Sequence, residues 1–335
     1  MSLPVLHIWP GQWGLPSIDP LCLAAFMYLQ STIPSKFMVS YCTNPDFSPS
    51  GTLPFLTHNQ QAISSLSSII QYLGRDPQFQ KDVKIDANLN SLENSQKTAW
   101  CSHIESNLGS LVSYMFYSLP ANWAQLTHPT LTYALSVPQR YYMPNRIRDT
   151  HRPRLEAAGL WSQQPTESKR SSLPSYSISF DDKEEITHTF QREKALQKAR
   201  DFLDIYTRLL GENQFVYQER PTTLDFVLAA HVLVISRPPF PDKLLSDLLT
   251  SSYSTVVLHA ERILSRALEN PAPVNTLPLG HSIRSLLPSL PRERAEKSAE
   301  ETHYDRVTWG WISLAVGSVS LYLLIIGSPV HLVVS

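Results

Sequence analysis

The sequence predicts an α+β protein with a small N-terminal sheet domain, a larger all-helical domain and one C-terminal transmembrane helix. Residues 5–73 follow the order strand, helix, strand, hairpin and helix, and the apolar residues after them recur with helical spacing. Residues 307–335 contain no Asp, Glu, Lys or Arg, although these types make up 17% of the chain. A length of 335 residues is enough for two ordinary domains.

The charge balance and the cysteine count exclude several classes of protein. The formal net charge is -1, which argues against a protein that coats nucleic acid, because phosphate binding requires an excess of Lys and Arg. The three cysteines, Cys22, Cys42 and Cys101, are too few and too scattered for a disulfide framework or a thiolate zinc site. They fit a reducing compartment better.

The first strand and the first helix are predicted from local signals. Residues 5–9 alternate weakly and read as a short strand. Asp19 and Pro20 form an N-cap followed by proline at the first helical position, so a helix begins there. Pro34 ends this helix near residue 31.

The rest of the N-terminal domain is a second strand, a hairpin and a helix. Residues 37–42 and 52–56 predict strands, and a short turn at 59–61 closes the hairpin. Ser64 or Ser65 then caps a helix that runs to Leu73. This order is the layout of a thioredoxin-like domain, which we assign to residues 1–76.

Pro54 lies in an apolar strand, where proline is normally excluded because it cannot donate to the ladder. A cis Leu53–Pro54 bond at the strand entrance resolves that conflict.

Residues 77–269 are predicted to form the all-helical domain. Thr222 and Asp225 form a variant of the capping box, and the run after them is apolar on nearly every face, so this helix should be central. Gly211 lies at a C-cap position. Residues 162–182 show little periodicity and are expected to be a disordered, exposed loop. The predicted helices cover residues 99–119, 185–210, 222–236 and 244–268, the last stretch holding at least one helix.

A proline-rich linker and charged juxtamembrane segment at 270–306 precede the apolar run 307–326. At 1.5 Å per residue its twenty residues span roughly 30 Å, the thickness of a bilayer core. Because only the short tail 327–335 follows, we expect a tail anchor that leaves the bulk of the chain facing the cytosol. The alternative is a buried core helix, which would carry a polar stripe.

Small residues form a stripe along the predicted membrane helix. Gly310, Ser313, Gly317 and Ser320 fall at i, i+3, i+7 and i+10, on one face. In lipid such a stripe permits close approach of a helix or a barrel wall, so we assign it as the membrane-helix contact face. The alternative is that Gly and Ser are simply common in membrane helices.

The residues that could carry chemistry are few. No glycine-rich phosphate loop follows a strand, and the histidines do not cluster at metal-ligand spacing. We expect His58 and His103 to be satisfied surface or packing residues. The loop after the first strand lacks the Cys-x-x-Cys of a redox site. The sequence therefore predicts no catalytic, metal or cofactor-binding residue.

The two-domain plan and the capping box resemble those of glutathione transferases. That family binds the γ-glutamyl end of glutathione with an acid or Gln followed by Ser, at the start of the helix after the hairpin. Alignment on Ile69, Tyr72 and Leu73 puts Ser65 and Leu66 at those positions, so an apolar side chain replaces the hydroxyl that should meet the ligand carboxylate. Ser17 could polarise a thiol or cap the first helix.

A second resemblance, to fungal metaxins, accounts for that loss. Gly14, Pro16, Asp19 and Pro20, continuing to Tyr28 and Leu29, resemble the N-terminal signature of these proteins, and Pro54, Thr222 and Asp225 fit the same plan. The resemblance implies a tail-anchored subunit of the sorting and assembly machinery of the mitochondrial outer membrane, without enzymatic activity.

The partners that this resemblance implies are the β-barrel core subunit, a peripheral metaxin-like subunit and β-barrel precursors; the general outer-membrane translocase is a further candidate. Such a subunit would support insertion and release of the precursors and mitochondrial protein import. Two alternatives stay open: a membrane-tethered glutathione transferase or peroxidase, and a tail-anchored adaptor of the endoplasmic reticulum.

Overall fold

The computed structural model of the chain describes residues 3–83, 85–161, 180–217, 220–269, 306–311, 313–314 and 317–318. In its N-terminal part, a four-stranded sheet has the order β2-β1-β3-β4, with β1 parallel to β2 and β3 antiparallel to both β1 and β4. Helix α1 follows β1 and helix α2 follows β4. The bounds are β1 Val5–Ile8, α1 Pro20–Thr32, β2 Met38–Tyr41, β3 Phe55–His58, β4 Gln61–Ser64 and α2 Leu66–Arg75.

Local signals predicted the cap, turn and proline geometry of this part correctly. The Asp19 carboxylate accepts a hydrogen bond from the Cys22 N–H at 2.8 Å as the N-cap of α1. Ser65 caps α2 and the Leu53–Pro54 bond is cis. The strand predicted at 52–56 is shifted, however, because β3 begins only at Phe55, after the proline. Residues 52–54 therefore lead into the ladder without joining it.

The part after α2 is mostly helical. A 3-10 turn at Ile85–Asn88 precedes it, and two π-helical turns, Tyr114–Ser118 and Trp123–Thr127, flank α4. The helices are α3 Ser91–Ser113, α4 Pro120–Asn122, α5 His128–Ala134, α6 Met143–Ala158, α7 Phe180–Leu210, α8 Thr223–Ser236, α9 Leu244–Ser252 and α10 Ser254–Leu268. The structure thus confirms the α+β class, with an N-terminal sheet and a mainly helical remainder.

Two of the predicted helix boundaries were wrong. Helix α3 begins eight residues before position 99, at a capping box formed by Asn90 and Glu93, because its first two turns are polar and show no apolar period. Helix α7 already begins at Phe180, so the last three residues of the predicted loop 162–182 are helical. Asp181 and Asp182 suit the N-terminal turn of a helix, where the macrodipole favours negative charge. Residues 162–179 lie outside the described part of the chain.

One hydrophobic core joins the two parts. Helix α8 packs against α1, α3 and α10, and thirteen of its fourteen residues are buried, as predicted for a central helix. Helix α1 is buried on almost every face, with the sheet and α2 on one side and α8 and α10 on the other. A single cluster of buried side chains runs from Leu6 in β1 to Ala267 in α10. The predicted boundary at residue 76 therefore separates two architectures that share one core.

The described residues include no helix that is both long and apolar enough to cross a bilayer. Residues 306–311, 313–314 and 317–318 are helical, and most of the predicted span 307–326 lies outside the described residues. The linker up to residue 305 and the tail 327–335 lie outside them as well.

Candidate functional site

The loop that leads into α1 is a tight turn closed by the backbone. The Leu15 N–H donates to the Gln12 carbonyl at 2.9 Å, and Trp13 and Gly14 have positive φ angles of 54° and 75°. Glycine at position 14 suits that conformation, because a side chain is strained there. The turn places the Trp13 ring 6.0 Å from the Phe116 ring of the helical part. This signature segment therefore builds a contact between the two parts of the fold.

The Ser17 hydroxyl and the Cys22 thiol, at the start of α1, are buried. Ser17 is fully buried, and its hydroxyl oxygen accepts a hydrogen bond from the Asp19 N–H at 3.4 Å. Since Asp19 is the N-cap, Ser17 does not cap α1. Burial, followed by the nearby Asp19 carboxylate, raises the pKa of the buried Cys22 thiol well above its ordinary value. Neither side chain is placed to activate a thiol ligand that arrives from solvent.

The second site expected from the transferase resemblance, at the start of α2, has an apolar side chain at residue 66. Ser65 is the N-cap of α2 and accepts a hydrogen bond from the Ser68 N–H at 3.3 Å. Leu66, where the resemblance expects a hydroxyl, is buried and belongs to the core. A carboxylate brought to this point would meet apolar surface, which is costly unless the charge is compensated.

The remaining cysteines are poor nucleophiles at neutral pH. Burial raises the pKa of Cys42 to about 11 and that of Cys101 to about 12, whereas the thiolate is the reactive form. His58 and His103 are packing residues, as predicted: their Nδ1 atoms lie 2.9 Å from the Tyr72 hydroxyl and 2.8 Å from the Tyr206 hydroxyl. No metal-binding group of three or more His, Cys, Asp or Glu is present among the described residues.

A buried acid holds the start of α8. Asp225 is fully buried, and its Oδ2 accepts from the Thr222 N–H at 2.8 Å and from the Thr222 hydroxyl at 2.9 Å. Its Oδ1 accepts from the Val216 N–H and lies 3.0 Å from His259 Nε2. The predicted capping box is therefore confirmed, and it also ties α10 and the 211–217 turn to α8. The contribution of His259 was not predicted, since only a contact distant in sequence reveals it.

Asp86 makes a second link, between the connection after α2 and the helical part. Its Oδ2 accepts from the Thr223 hydroxyl at 2.6 Å and pairs with Lys97 Nζ at 2.7 Å. Nearby, the Tyr28 hydroxyl of α1 donates to the Val83 carbonyl at 3.0 Å, and its ring meets that of Phe226 edge-on. These contacts brace α1 and α8 against each other. The arrangement fixes the N-terminal part against the helical part.

The predicted membrane-contact residues are only partly described. Gly310, Ser313 and Gly317 are helical and exposed, and a Cβ atom at either glycine would meet no atom within 4 Å. Ser320 lies outside the described residues. Their role in membrane contact stays a prediction.

Comparison with known families gives a match that overlaps both parts of this fold. The Tom37 family, described as "Outer mitochondrial membrane transport complex protein", matches residues 22–148. Metaxin-1 of Macaca fascicularis is 27% identical over 243 residues, covering 72% of this chain and 68% of the relative. The "Mitochondrial outer membrane import complex protein METAXIN" of Arabidopsis thaliana is 26% identical over 325 residues, covering 94% and 90%.

Solved structures of similar arrangement are glutathione transferases. One is CsGST63524 of Ceriporiopsis subvermispora, with 14% identity and a TM-score of 0.45, covering 79% of this chain and 98% of that one. Another is GSTFuA2 of Phanerochaete chrysosporium, with 12% identity and a TM-score of 0.49, covering 81% and 100%. These values are too low for any property of those enzymes to be transferred to this chain.

Proposed function

We propose that the chain, which is similar to the Tom37 family over residues 22–148 and to metaxins, is a non-enzymatic subunit of a mitochondrial outer-membrane import complex. Within that complex we assign it to the sorting and assembly machinery, where it supports insertion and release of β-barrel precursors. Its partners are then the β-barrel core subunit, a peripheral metaxin-like subunit and the precursors.

The observation that supports the non-enzymatic part of this proposal is the burial of the hydroxyl and thiol side chains at the start of α1. A transferase needs a hydroxyl or thiol exposed there, whereas Ser17 and Cys22 are fully buried. Leu66 closes the neighbouring position with an apolar side chain. The chain keeps the two-part arrangement of the transferase plan. Without a reactive site, a protein of this kind acts through its binding surfaces.

The helical part offers exposed aromatic and apolar surface for such contacts. Tyr133, in the last turn of α5, is 84% exposed, and Tyr141 and Val137, in the segment that connects α5 to α6, are 72% and 57% exposed. Aromatic side chains are enriched at protein interfaces because they bury a large area with few rotatable bonds. We assign this segment as a candidate surface for a neighbouring subunit.

We propose further that residues 307–326 anchor the chain in the outer membrane, with the rest of the chain in the cytosol. The run is free of charged residues and long enough to span the bilayer core. Gly310, Ser313, Gly317 and Ser320 then form the face that approaches a helix or barrel wall closely. The small size of these residues favours a protein neighbour over lipid on this face.

Purification from mitochondria in a mild detergent tests the assignment. The tagged full chain should co-purify the β-barrel core subunit and a second metaxin-like subunit, and should resist carbonate extraction. A variant that lacks residues 307–335 should enter the soluble fraction. Recovery of that variant as an integral membrane protein would contradict the anchor.

The enzymatic alternative has its own test, which is independent of location. We expect no retention of the full chain on glutathione-agarose and no conjugation of a generic electrophile. Retention and conjugation that are both abolished by Ser17→Ala would overturn the non-enzymatic assignment.

A further inference from the structure

Arg148 in α6 is clamped between two tryptophan rings. Its guanidinium carbon lies 4.8 Å from the centre of the Trp123 ring and 5.1 Å from that of the Trp161 ring. Its Nε donates to the Tyr117 carbonyl at 2.9 Å. Within the described part of the chain, no hydrogen-bond acceptor meets its two terminal Nη groups. The Nε bond and the two rings thus fix the guanidinium in orientation, and no described residue occupies its Nη groups.

Packing alone does not explain a charge at this position. Burial lowers the pKa of Arg148, with the Arg152 charge acting in the same direction and Asp149 opposing it. Arg152 lies one turn further along α6, and its guanidinium carbon is 5.8 Å from the centre of the same Trp161 ring. A Met or Leu would fill the space between two indoles without desolvating a cation. The fold uses the Nε bond to the Tyr117 carbonyl and the stacking on the two rings, but among the described residues it gives the two Nη groups no partner.

The surroundings of Arg148 are basic, although the whole chain has a net charge of -1. Residues 140–158 contain five arginines against two carboxylates, and residues 191–198 contain three basic residues against one acid. Lys198 Nζ donates to the Ala158 carbonyl at 2.6 Å, so α7 brings its positive charge to the end of α6. Lys194 lies against Gly159 at the same point. The excess of positive charge is local, because Arg152 pairs with Glu156 and the whole of α7 has seven acids against six basic residues. A local excess of this sign favours an anionic partner.

We propose that Arg148 binds a phosphate-type oxyanion, and that this oxyanion is the headgroup phosphate of an anionic phospholipid. A planar guanidinium with two available Nη groups matches an oxyanion in a bidentate geometry. Tryptophan and tyrosine favour the membrane interface, and Tyr141, which is 72% exposed, lies two residues before α6. The choice of a lipid as the source rests on the membrane location proposed above, whereas the oxyanion site does not.

Native mass spectrometry of the full chain in detergent tests the site. The probes are dihexanoyl phosphatidic acid, dihexanoyl phosphatidylcholine and inorganic phosphate, each added to wild type, Arg148→Gln and Arg200→Gln. Arg200 is the matched control, because it is an exposed arginine of α7 that loses the same charge. We expect Arg148→Gln to weaken phosphatidic acid binding roughly tenfold or more, the loss of one charge-assisted pair. Arg200→Gln and wild type should bind it equally, and phosphatidylcholine should bind weakly to all three.

Each other outcome overturns part or all of the proposal. Equal phosphatidic acid binding by wild type and Arg148→Gln would remove the site. Inorganic phosphate that binds as tightly as phosphatidic acid, in an Arg148-dependent manner, would identify a free-anion site and refute the lipid source, while leaving the import function untouched. If Arg148→Gln lowers the melting temperature, phosphatidic acid binding is measured on Arg148→Lys instead. That variant keeps the charge without the planar fork, and undiminished binding by the folded variant would refute bidentate recognition.

Discussion

Replacement of Asp225 by alanine should destabilise the whole fold, because the carboxylate serves four donors on three segments. Its two oxygens accept from the Thr222 N–H, the Thr222 hydroxyl and the Val216 N–H, and one lies 3.0 Å from His259 Nε2. Asp225 and His259 are buried, at 0% and 1% exposure. Asp225→Ala therefore leaves the N–H groups of Thr222 and Val216 and the His259 ring nitrogen buried without their hydrogen-bond partner.

The expected loss in the free energy of unfolding is about 3–5 kcal/mol, because Asp225→Ala leaves three buried donors without an acceptor, at about 1–3 kcal/mol each before the structure relaxes. The four hydrogen bonds taken separately, at about 1.5–3 kcal/mol each, would give more than this. We use the smaller range because neighbouring contributions are not additive and the Thr222 hydroxyl can turn to another acceptor. A loss of this size is a large fraction of the 5–15 kcal/mol that is typical of total stability.

Equilibrium urea unfolding of the full chain in detergent, followed by tryptophan fluorescence and circular dichroism, measures this loss. The matched control is Asp247→Ala, which removes an exposed carboxylate from the first turn of α9 and should change stability by less than about 0.5 kcal/mol. A double-mutant cycle with His259→Ala isolates the direct contact, for which we expect a coupling of about 1–3 kcal/mol. A loss below about 1 kcal/mol for Asp225→Ala would refute the reasoning, since the acid would then be only a local cap.

Three further predictions follow from other residues. Burial lowers the pKa of His231 from 6.5 to about 4, so the unfolded chain binds a proton at this residue more readily than the folded chain. The free energy of unfolding should therefore fall as pH drops from about 7 to 5. Urea titrations should show that this dependence on pH is weaker in His231→Gln than in wild type, by up to about 1.4 kcal/mol per pH unit. Gly310→Leu with Gly317→Leu should weaken co-purification of the β-barrel subunit, whereas Ala315→Leu, about 140° round the predicted helix, should not. Leu66→Ser should not restore retention on glutathione-agarose, because the Ser17 hydroxyl stays buried.

Local signals predicted the parts of the fold that depend on a few neighbouring residues. Asp19 with Pro20 located the start of α1, and Thr222 with Asp225 located the start of α8. Pro54 in an apolar run predicted its own cis bond. Each of these is a backbone requirement that one or two side chains satisfy, so a single sequence is enough to detect it.

Segments whose structure depends on distant partners were not predicted. Residues 114–158 contain two π-helical turns, a cis Val137–Pro138 bond and α6, which continues through Pro153. These features pack around a satellite cluster of Trp123, Leu131, Leu135 and Met143, which no local period marks. The same limit hid Arg148, because its two tryptophan neighbours are 25 residues before it and 13 after it in the sequence.

In helix α1, the residues that resemble the metaxin signature have structural roles. The helix is buried on nearly every side, because the sheet covers one side and α8 and α10 cover the other. Asp19 and Pro20 are needed for its start, and Tyr28 for its contacts with Val83 and Phe226. These residues support the fold whether or not Ser17 is exposed. The residues at the start of α1 therefore have a structural role that is compatible with full burial of Ser17 and Cys22.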